Sequence, residues 1–240
     1  IKDYVAGDDV RSINWKATAK QGNLMVNQYQ DERSQPVYSV IDTGRTMKMP
    51  FNQLRLLDYA INSALAFTNI ALKKKDKAGL ITFSNKMGKM LPASSKKSNL
   101  NLILESLYNI DTRFKDSDPG LLYSHVNRRL SQRSLLLLYT NFEHLSALHR
   151  QMPYLLALAK KHLLVVIFFE NTELESFIAS PADDIPQIFN QTIAEQYSYD
   201  KRLMAKELQK YGIQTILTRP EDLTVQTINK YLEIKKRGIL

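Results

Sequence analysis

The 240-residue sequence contains no cysteine. Disulfide bonds, thiolate metal ligands and a cysteine nucleophile are therefore excluded, and a reducing, intracellular compartment is compatible with the chain. Long apolar runs are lacking as well, because the longest uninterrupted one extends only from Leu163 to Phe169. A helix that crosses a bilayer needs about 20 apolar residues, so we expect no membrane-spanning helix in this sequence.

The common catalytic motifs are also missing. The sequence has neither of the glycine-rich loops that bind nucleotides and dinucleotides, no nucleophile elbow of the hydrolases and no HExxH pair. Its four histidines show no spacing typical of metal ligands: His125, His144, His149 and His162. We therefore predict that the protein is not an enzyme.

Basic residues are in excess. Lys and Arg number 33 against 24 Asp and Glu, which gives a net charge of +9. This charge favours anionic surroundings such as a membrane surface, a nucleic acid or an acidic partner, and does not choose among them. Most basic clusters fall at the ends of predicted helices, where they interact favourably with the helix dipole. We interpret them as solvated surface, with nucleic-acid binding as an alternative.

Strand and helix patterns alternate after residue 36. Short apolar runs predict strands at 37–41, 77–84, 86–91, 134–139, 163–169 and 213–217. Apolar residues at helical spacing predict helices at 51–72, 99–108, 119–130, 146–161, 185–211 and 223–236. Strands that are apolar throughout indicate a sheet buried on both faces. We predict a doubly wound, mostly parallel α/β domain over residues 37–240, with one hairpin around Asn85.

Residues 1–36 do not follow this pattern. They are polar and irregular before Leu24 and alternate between apolar and polar after it. We predict that they form an N-terminal extension packed on the domain. This extension contains the only Trp of the chain, Trp15.

The segment from Asp3 to Lys20, DYVAGDDVRSINWKATAK, resembles the signature Y-x-x-G-D-D-x-R-x-I-[DN]-W-[KR]-x-[ST]-A-[KR] of the bacterial "domain of unknown function fifty-eight" family. The segment from Asp76 to Ser84, DKAGLITFS, is similar to a second pattern of that family, D-[KR]-[VA]-G-L-x-x-F-S. The resemblance extends over essentially all 240 residues. It implies a von Willebrand factor A-like fold.

The same resemblance implies a cellular setting. Members of the family usually carry two membrane-spanning segments upstream and tend to be encoded beside AAA+ ATPases of the MoxR type. We therefore expect this chain, which begins without Met, to be part of a membrane-tethered partner or adaptor of such an ATPase. It would act at the cytoplasmic face of the bacterial inner membrane, in the assembly or maturation of an unknown client protein. We expect no nucleic-acid partner.

A degenerate metal site is the next expectation from the resemblance. Von Willebrand factor A domains often hold Mg²⁺ with the motif D-x-S-x-S after the first strand. The corresponding residues here run from Asp42 to Thr46, with Gly44 in place of the first Ser. Together with residues of two later loops, this implies a degenerate Mg²⁺ site formed by Asp42, Thr46, Asp118 and Asn141.

Two alternatives to the metal site stay open. The positive charge of Arg45 opposes a cation, and Asp42 could instead cap the following turn or pair with Arg45. Conversely, Asp42 with Asp118 or Glu143 could hold an ion for a metal-assisted hydrolase.

The N-terminal signature has two interpretations as well. Arg11, Trp15 and Lys16 are residue types expected at interface hot spots, so we predict that they contact the ATPase. In the structural alternative, Asp8 and Asp9 form a charge network with Arg11 and Lys16. Trp15 would then pack as an anchor of the extension.

Overall fold

The computed structural model describes residues 1–27, 34–112, 115–181 and 184–239, with only the backbone at 172, 173, 175 and 176. It divides into two compact units, Ile1–Arg33 and Ser34–Leu240. We describe each unit by itself. Within the described ranges, no helix is both long and apolar enough to cross a bilayer.

The N-terminal unit contains a short helix, Trp15–Gln21, that the sequence analysis did not predict. Asn14 begins it by accepting a hydrogen bond from the Ala17 amide at 3.0 Å, and Gly22 ends it with a φ of 76°. These are ordinary cap residues, but none of the seven helical residues is buried, so no apolar stripe marked the helix. Two-residue strands, Lys2–Asp3 and Met25–Val26, pair in antiparallel orientation.

The second unit is built on a six-stranded sheet. Its strands are β1 (Pro36–Asp42), β2 (Lys77–Phe83), β3 (Met87–Ser94), β4 (Leu135–Tyr139), β5 (Leu163–Phe169) and β6 (Gln214–Thr218). They lie in the order β6-β5-β4-β1-β2-β3. All neighbours are parallel except β2 and β3, which form the predicted antiparallel hairpin. The predicted mostly parallel sheet is thus confirmed.

Helices cover both faces of this sheet. They are α1 (Leu56–Lys73), α2 (Ser98–Tyr108), α3 (Pro119–Arg129), α4 (Leu145–Lys161), α5 (Thr172–Ala179), α6 (Ile185–Lys210) and α7 (Leu223–Lys236). One core cluster joins α1, α2 and α7 to the sheet, and a second joins α3, α4 and α6. Because both faces are covered, the central strands β4 and β5 are continuous apolar runs. The doubly wound prediction is confirmed.

Helix α1 begins later than predicted. Pro50–Phe51 pairs with Leu54–Arg55 in a tight hairpin, and the two residues of its turn, Asn52 and Gln53, have φ values of 44° and 66°. The helix therefore starts at Leu56 instead of Phe51. Apolar periodicity alone did not distinguish this two-residue turn from a first helical turn. Helix α5 is a further difference, since no helix was predicted between residues 169 and 185.

Asp76 connects three elements at the amino edge of the sheet. Its buried carboxylate accepts hydrogen bonds from the Gln35 amide at 3.1 Å, from the Tyr231 hydroxyl, and from Lys235 Nζ at 3.1 Å. The first residue of the DKAGLITFS segment thus joins the start of β1 and β2 to α7. Its role is structural.

Candidate functional site

Asp42 ends β1, in the middle of the sheet and at its carboxyl edge. In α/β sheets, this edge is where loops from neighbouring strands meet and where ligands bind. Asp42 is 2% exposed. The loop before α3 and the residue after β4 both reach its carboxylate.

Three donors point at the Asp42 carboxylate. The Gly44 amide donates to Oδ1 at 2.8 Å and Thr140 Oγ1 donates to Oδ2 at 2.7 Å. The Ser117 hydroxyl is the third donor and also reaches Oδ1. Burial raises the pKa of Asp42, and these hydrogen bonds oppose that rise. Both carboxylate oxygens are therefore engaged within the protein.

Ser117 takes the space that a side chain at Gly44 would need. A Cβ atom placed on Gly44 would overlap Ser117 Oγ and lie 3.0 Å from Asp42 Oδ1. A hydroxyl from a loop thus approaches Asp42 where the D-x-S motif would place its own serine. Sequence reasoning missed Ser117, because it lies 75 positions from Asp42 and belongs to no motif.

Thr46 and Asp118 have other environments. Thr46 is half-buried in the helical turn Arg45–Lys48, and its side chain makes no hydrogen bond with any described residue. Asp118 is exposed, and its Oδ1 accepts hydrogen bonds from the Gly120 and Leu121 amides at 2.8 and 3.1 Å. Asp118 is the N-cap of α3.

Asn141 faces a buried lysine. Its Oδ1 accepts a hydrogen bond from Lys201 Nζ at 2.5 Å, and the Phe142 carbonyl accepts another from the same ammonium group. Lys201 is 2% exposed, and burial lowers its pKa to about 7. The Tyr197 ring centroid lies 5.3 Å from Nζ. No motif marked Lys201, which is 60 residues from Asn141.

Arg45 does not pair with Asp42. Its Nε lies 3.1 Å from Asp116 Oδ1 and its Nη2 lies 3.0 Å from Glu143 Oε2. Hydrogen bonds to these two carboxylates raise the pKa of Arg45. Of the two alternatives for Asp42, the geometry matches capping of the following turn, through the Gly44 amide.

These residues do not fit a magnesium ion. Mg²⁺ takes a nearly octahedral set of oxygen ligands, whereas the Asn141 oxygen faces the Lys201 amine and the Asp118 carboxylate caps a helix. Among the residues that the structure describes, no group of three or more Asp, Glu or His side chains is placed to hold a metal. The same geometry offers the hydrolase alternative no converging carboxylates, since Asp118 caps a helix and Glu143 binds Arg45.

The predicted partner-binding residues lie together in the N-terminal unit. Arg11 and Lys16 are exposed, and the Trp15 side chain is 69% exposed. Within the described part of this unit, Asp8 and Asp9 form no ion pair with the Arg11 and Lys16 side chains, although the predicted charge network would require such pairs. Asp8 pairs with Lys2 at 2.8 Å, and Asp9 accepts a hydrogen bond from the Arg11 amide.

The family model described as "Protein of unknown function DUF58" matches residues 1–175. The chain belongs to this family, which confirms the resemblance inferred from its motifs. No curated protein matches the sequence.

Solved structures similar to this chain include von Willebrand factor A domains. The conserved hypothetical protein BatB from Bacteroides thetaiotaomicron is 17% identical over 58% of this chain and 68% of its own, with a TM-score of 0.45. An aerotolerance-related membrane protein from Bacteroides fragilis NCTC 9343 is 15% identical over 82% and 97%, with a TM-score of 0.48. The SpRpn10 VWA domain is 14% identical over 63% and 85%, with a TM-score of 0.44. These values carry no functional argument.

Proposed function

We propose that this DUF58 domain is a non-catalytic protein-interaction domain that binds a MoxR-type AAA+ ATPase without a metal ion. One observation carries the proposal: the carboxyl edge of the sheet is closed by the domain's own side chains. Three donors saturate Asp42, and the Lys201 amine stands against Asn141. A metal ion would have to displace these contacts, which supports a binding surface elsewhere on the chain.

The surface proposed for the ATPase is formed by Arg11, Trp15 and Lys16. A tryptophan that stays mostly in solvent leaves a large apolar area uncovered, and Trp and Arg are enriched among interface hot spots. In the helix that carries them, Thr18 faces Met25 of the same unit, whereas Trp15 and Lys16 are both exposed and available to a partner.

The proposed setting is the cytoplasmic face of the bacterial inner membrane, with a tether in an upstream segment. The net charge of +9 supports this setting, because basic domains are attracted to the anionic lipids of that leaflet. The ATPase would use the domain as an adaptor in the assembly or maturation of a client protein.

Calorimetric titration of the domain with the MoxR-type ATPase, in ATP and Mg²⁺, tests this proposal. We expect Trp15→Ala and Arg11→Glu to weaken binding at least about tenfold. Asp42→Asn should leave the affinity unchanged. Tyr108→Ala is the matched control, since it removes another highly exposed aromatic side chain from the second unit.

Four outcomes would contradict the proposal. Loss of binding in Asp42→Asn would return the contact to the carboxyl edge of the sheet. Full affinity in Trp15→Ala would show that the N-terminal surface does not bind the ATPase. Absence of any binding would show that the ATPase is not the partner. Hydrolysis of phosphate or ester substrates that disappears in Asp42→Ala would instead establish an enzyme.

A further inference from the structure

Helix α6 is longer than the sheet on which it packs. Its 26 residues extend over about 39 Å, whereas the seven residues of β5 extend over about 23 Å. Met204, Ala205 and Leu208 are buried against the sheet, and Lys201 reaches the residues just after β4. Residues 185–200 come before that point, so this part of α6 extends beyond the carboxyl edge.

Helix α5 packs beside this projecting part. Gln191 Nε2 donates hydrogen bonds to the Phe177 carbonyl at 3.1 Å and to the Ser180 carbonyl at 2.7 Å. These bonds fix the end of α5 against α6. We call α5 and residues 185–200 of α6 the arm.

The arm carries an apolar stripe that faces away from the core. Its members are each at least 53% exposed and follow helical spacing: Ile185, Ile188, Phe189, Ile193 and Tyr199. The residues that α6 buries, among them Ala194 and Lys201, lie on the opposite side of the helix. A surface helix ordinarily has one apolar stripe, toward the core. This second stripe is an apolar surface without a partner among the described residues.

The charge of the arm is opposite to that of the rest of the chain. The two segments of the arm contain four of the 24 acidic residues, Glu173, Glu175, Glu195 and Asp200, and none of the 33 Lys and Arg. Nucleic acids and anionic lipids are therefore repelled from this segment. A surface that combines apolar side chains with acidic neighbours is complementary to a basic amphipathic segment.

We propose that the arm is a docking surface for a basic amphipathic helix of a partner protein. The apolar face of that helix covers the stripe around Phe189, and its Lys and Arg side chains face acidic residues such as Glu195 and Asp200. The arm shares no residue with the surface proposed for the ATPase, and the proposal does not depend on the ATPase as a partner.

Fluorescence anisotropy with two labelled peptides tests the proposal on the full chain. Each probe has about 18 residues, five helical turns, and the same leucine face, with lysine on the polar face of one and glutamate on that of the other. We expect the Leu/Lys peptide to bind at least about tenfold more tightly than the Leu/Glu peptide. Ile188→Ser and Phe189→Ser should each weaken its binding at least about tenfold. Glu195→Lys should weaken it too.

The matched controls are Leu102→Ser and Leu104→Ser, which remove exposed leucines from α2 and should leave binding unchanged. Far-UV circular dichroism and melting curves show that each variant is folded. Equal binding of the two peptides, or full affinity of Phe189→Ser, would overturn the proposal. A wild-type dimer that is lost in Phe189→Ser, measured by sedimentation, would also overturn the proposal, because a second copy of this chain would then cover the stripe. Binding of phosphatidylserine vesicles that is lost in Phe189→Ser would make it a lipid surface and overturn the proposal too.

Discussion

The hydroxyl of Ser117 lies in the space that a side chain at Gly44 would occupy. The φ of Gly44 is −77°, which any residue adopts, so the backbone does not require glycine there. The requirement is steric. Glycine at position 44 and serine at position 117 are therefore one structural unit.

Gly44→Ser tests this relationship. The new Cβ overlaps Ser117, and we expect the free energy of unfolding to fall by about 1–3 kcal/mol, the usual cost of overpacking. Adding Ser117→Ala removes the overlapping hydroxyl and should recover most of the loss. Urea unfolding of the two single variants and the double variant measures the coupling. Additive losses in the double variant would contradict the steric explanation.

Asp42→Asn and Asp42→Ala are expected to differ in stability. The alanine variant leaves three donors without an acceptor and should lose at least about 2 kcal/mol in urea unfolding at neutral pH. The asparagine variant keeps an acceptor oxygen and carries no charge, so it should lose less stability than the alanine variant. Similar losses in both variants would contradict the hydrogen-bonded geometry.

The pH dependence of Asp42→Asn has a defined sign. Burial raises the pKa of Asp42 above its ordinary 3.8, so between that pH and the folded pKa the folded protein holds a proton that the unfolded chain has released. Stability from this group is full below pH 3.8 and is lost as pH rises through the folded pKa. Relative to wild type, Asp42→Asn should therefore become more stable as pH rises from about 4 to 7. A constant difference over that range would show that the carboxylate titrates normally.

Lys201 should make stability rise at alkaline pH. Its folded pKa is about 7 and its ordinary value is 10.5, so between these values the unfolded chain binds a proton that the folded protein does not. The free energy of unfolding therefore increases with pH in this window, by an amount on the order of a few kcal/mol. Lys201→Met should lose this increase in urea unfolding between pH 7 and 10. Lys206→Met, at an exposed position on the same helix, is the control and should keep it.

Asp76 is the residue whose loss should cost most at the amino edge. Asp76→Ala leaves the Tyr231 hydroxyl and the Lys235 ammonium group without this carboxylate, and we expect a loss of about 3–5 kcal/mol. Tyr231→Phe removes one hydrogen bond and should cost only about 1 kcal/mol. Thermal and urea unfolding measure both. Equal losses would show that the hydroxyl, not the carboxylate, holds these elements together.

The sheet and the larger helices were predictable because each is marked by a local period. Leu163 to Phe169 is apolar throughout, as expected of a strand buried on both faces, and apolar residues of α6 recur at helical spacing. The helix that begins at Trp15 buries no residue, so it had caps but no stripe. The turn at Asn52 and Gln53 depends on two dihedral angles that the apolar pattern does not report.

The candidate site was predictable only in its position. Asp42 was identified because it ends the first long strand, but two of its three donors, Ser117 and Thr140, come from sequence-distant loops. Ser117 is one of many serines, and Lys201 stands in the middle of a helix where lysine is ordinary. Their importance follows from burial and from the oxygen atoms they face, and both are properties of the folded chain.

The direction of the helices has an electrical consequence for the second unit. Most of its helices run from the carboxyl edge of the sheet back to the amino edge, and five of them carry Lys or Arg in the last turn. These basic side chains therefore collect at the amino edge, whereas the acidic residues of the arm lie beyond the carboxyl edge. Such a unit has a permanent dipole moment. Beside any anionic surface, this distribution favours the orientation that turns the amino edge toward that surface and the arm away from it.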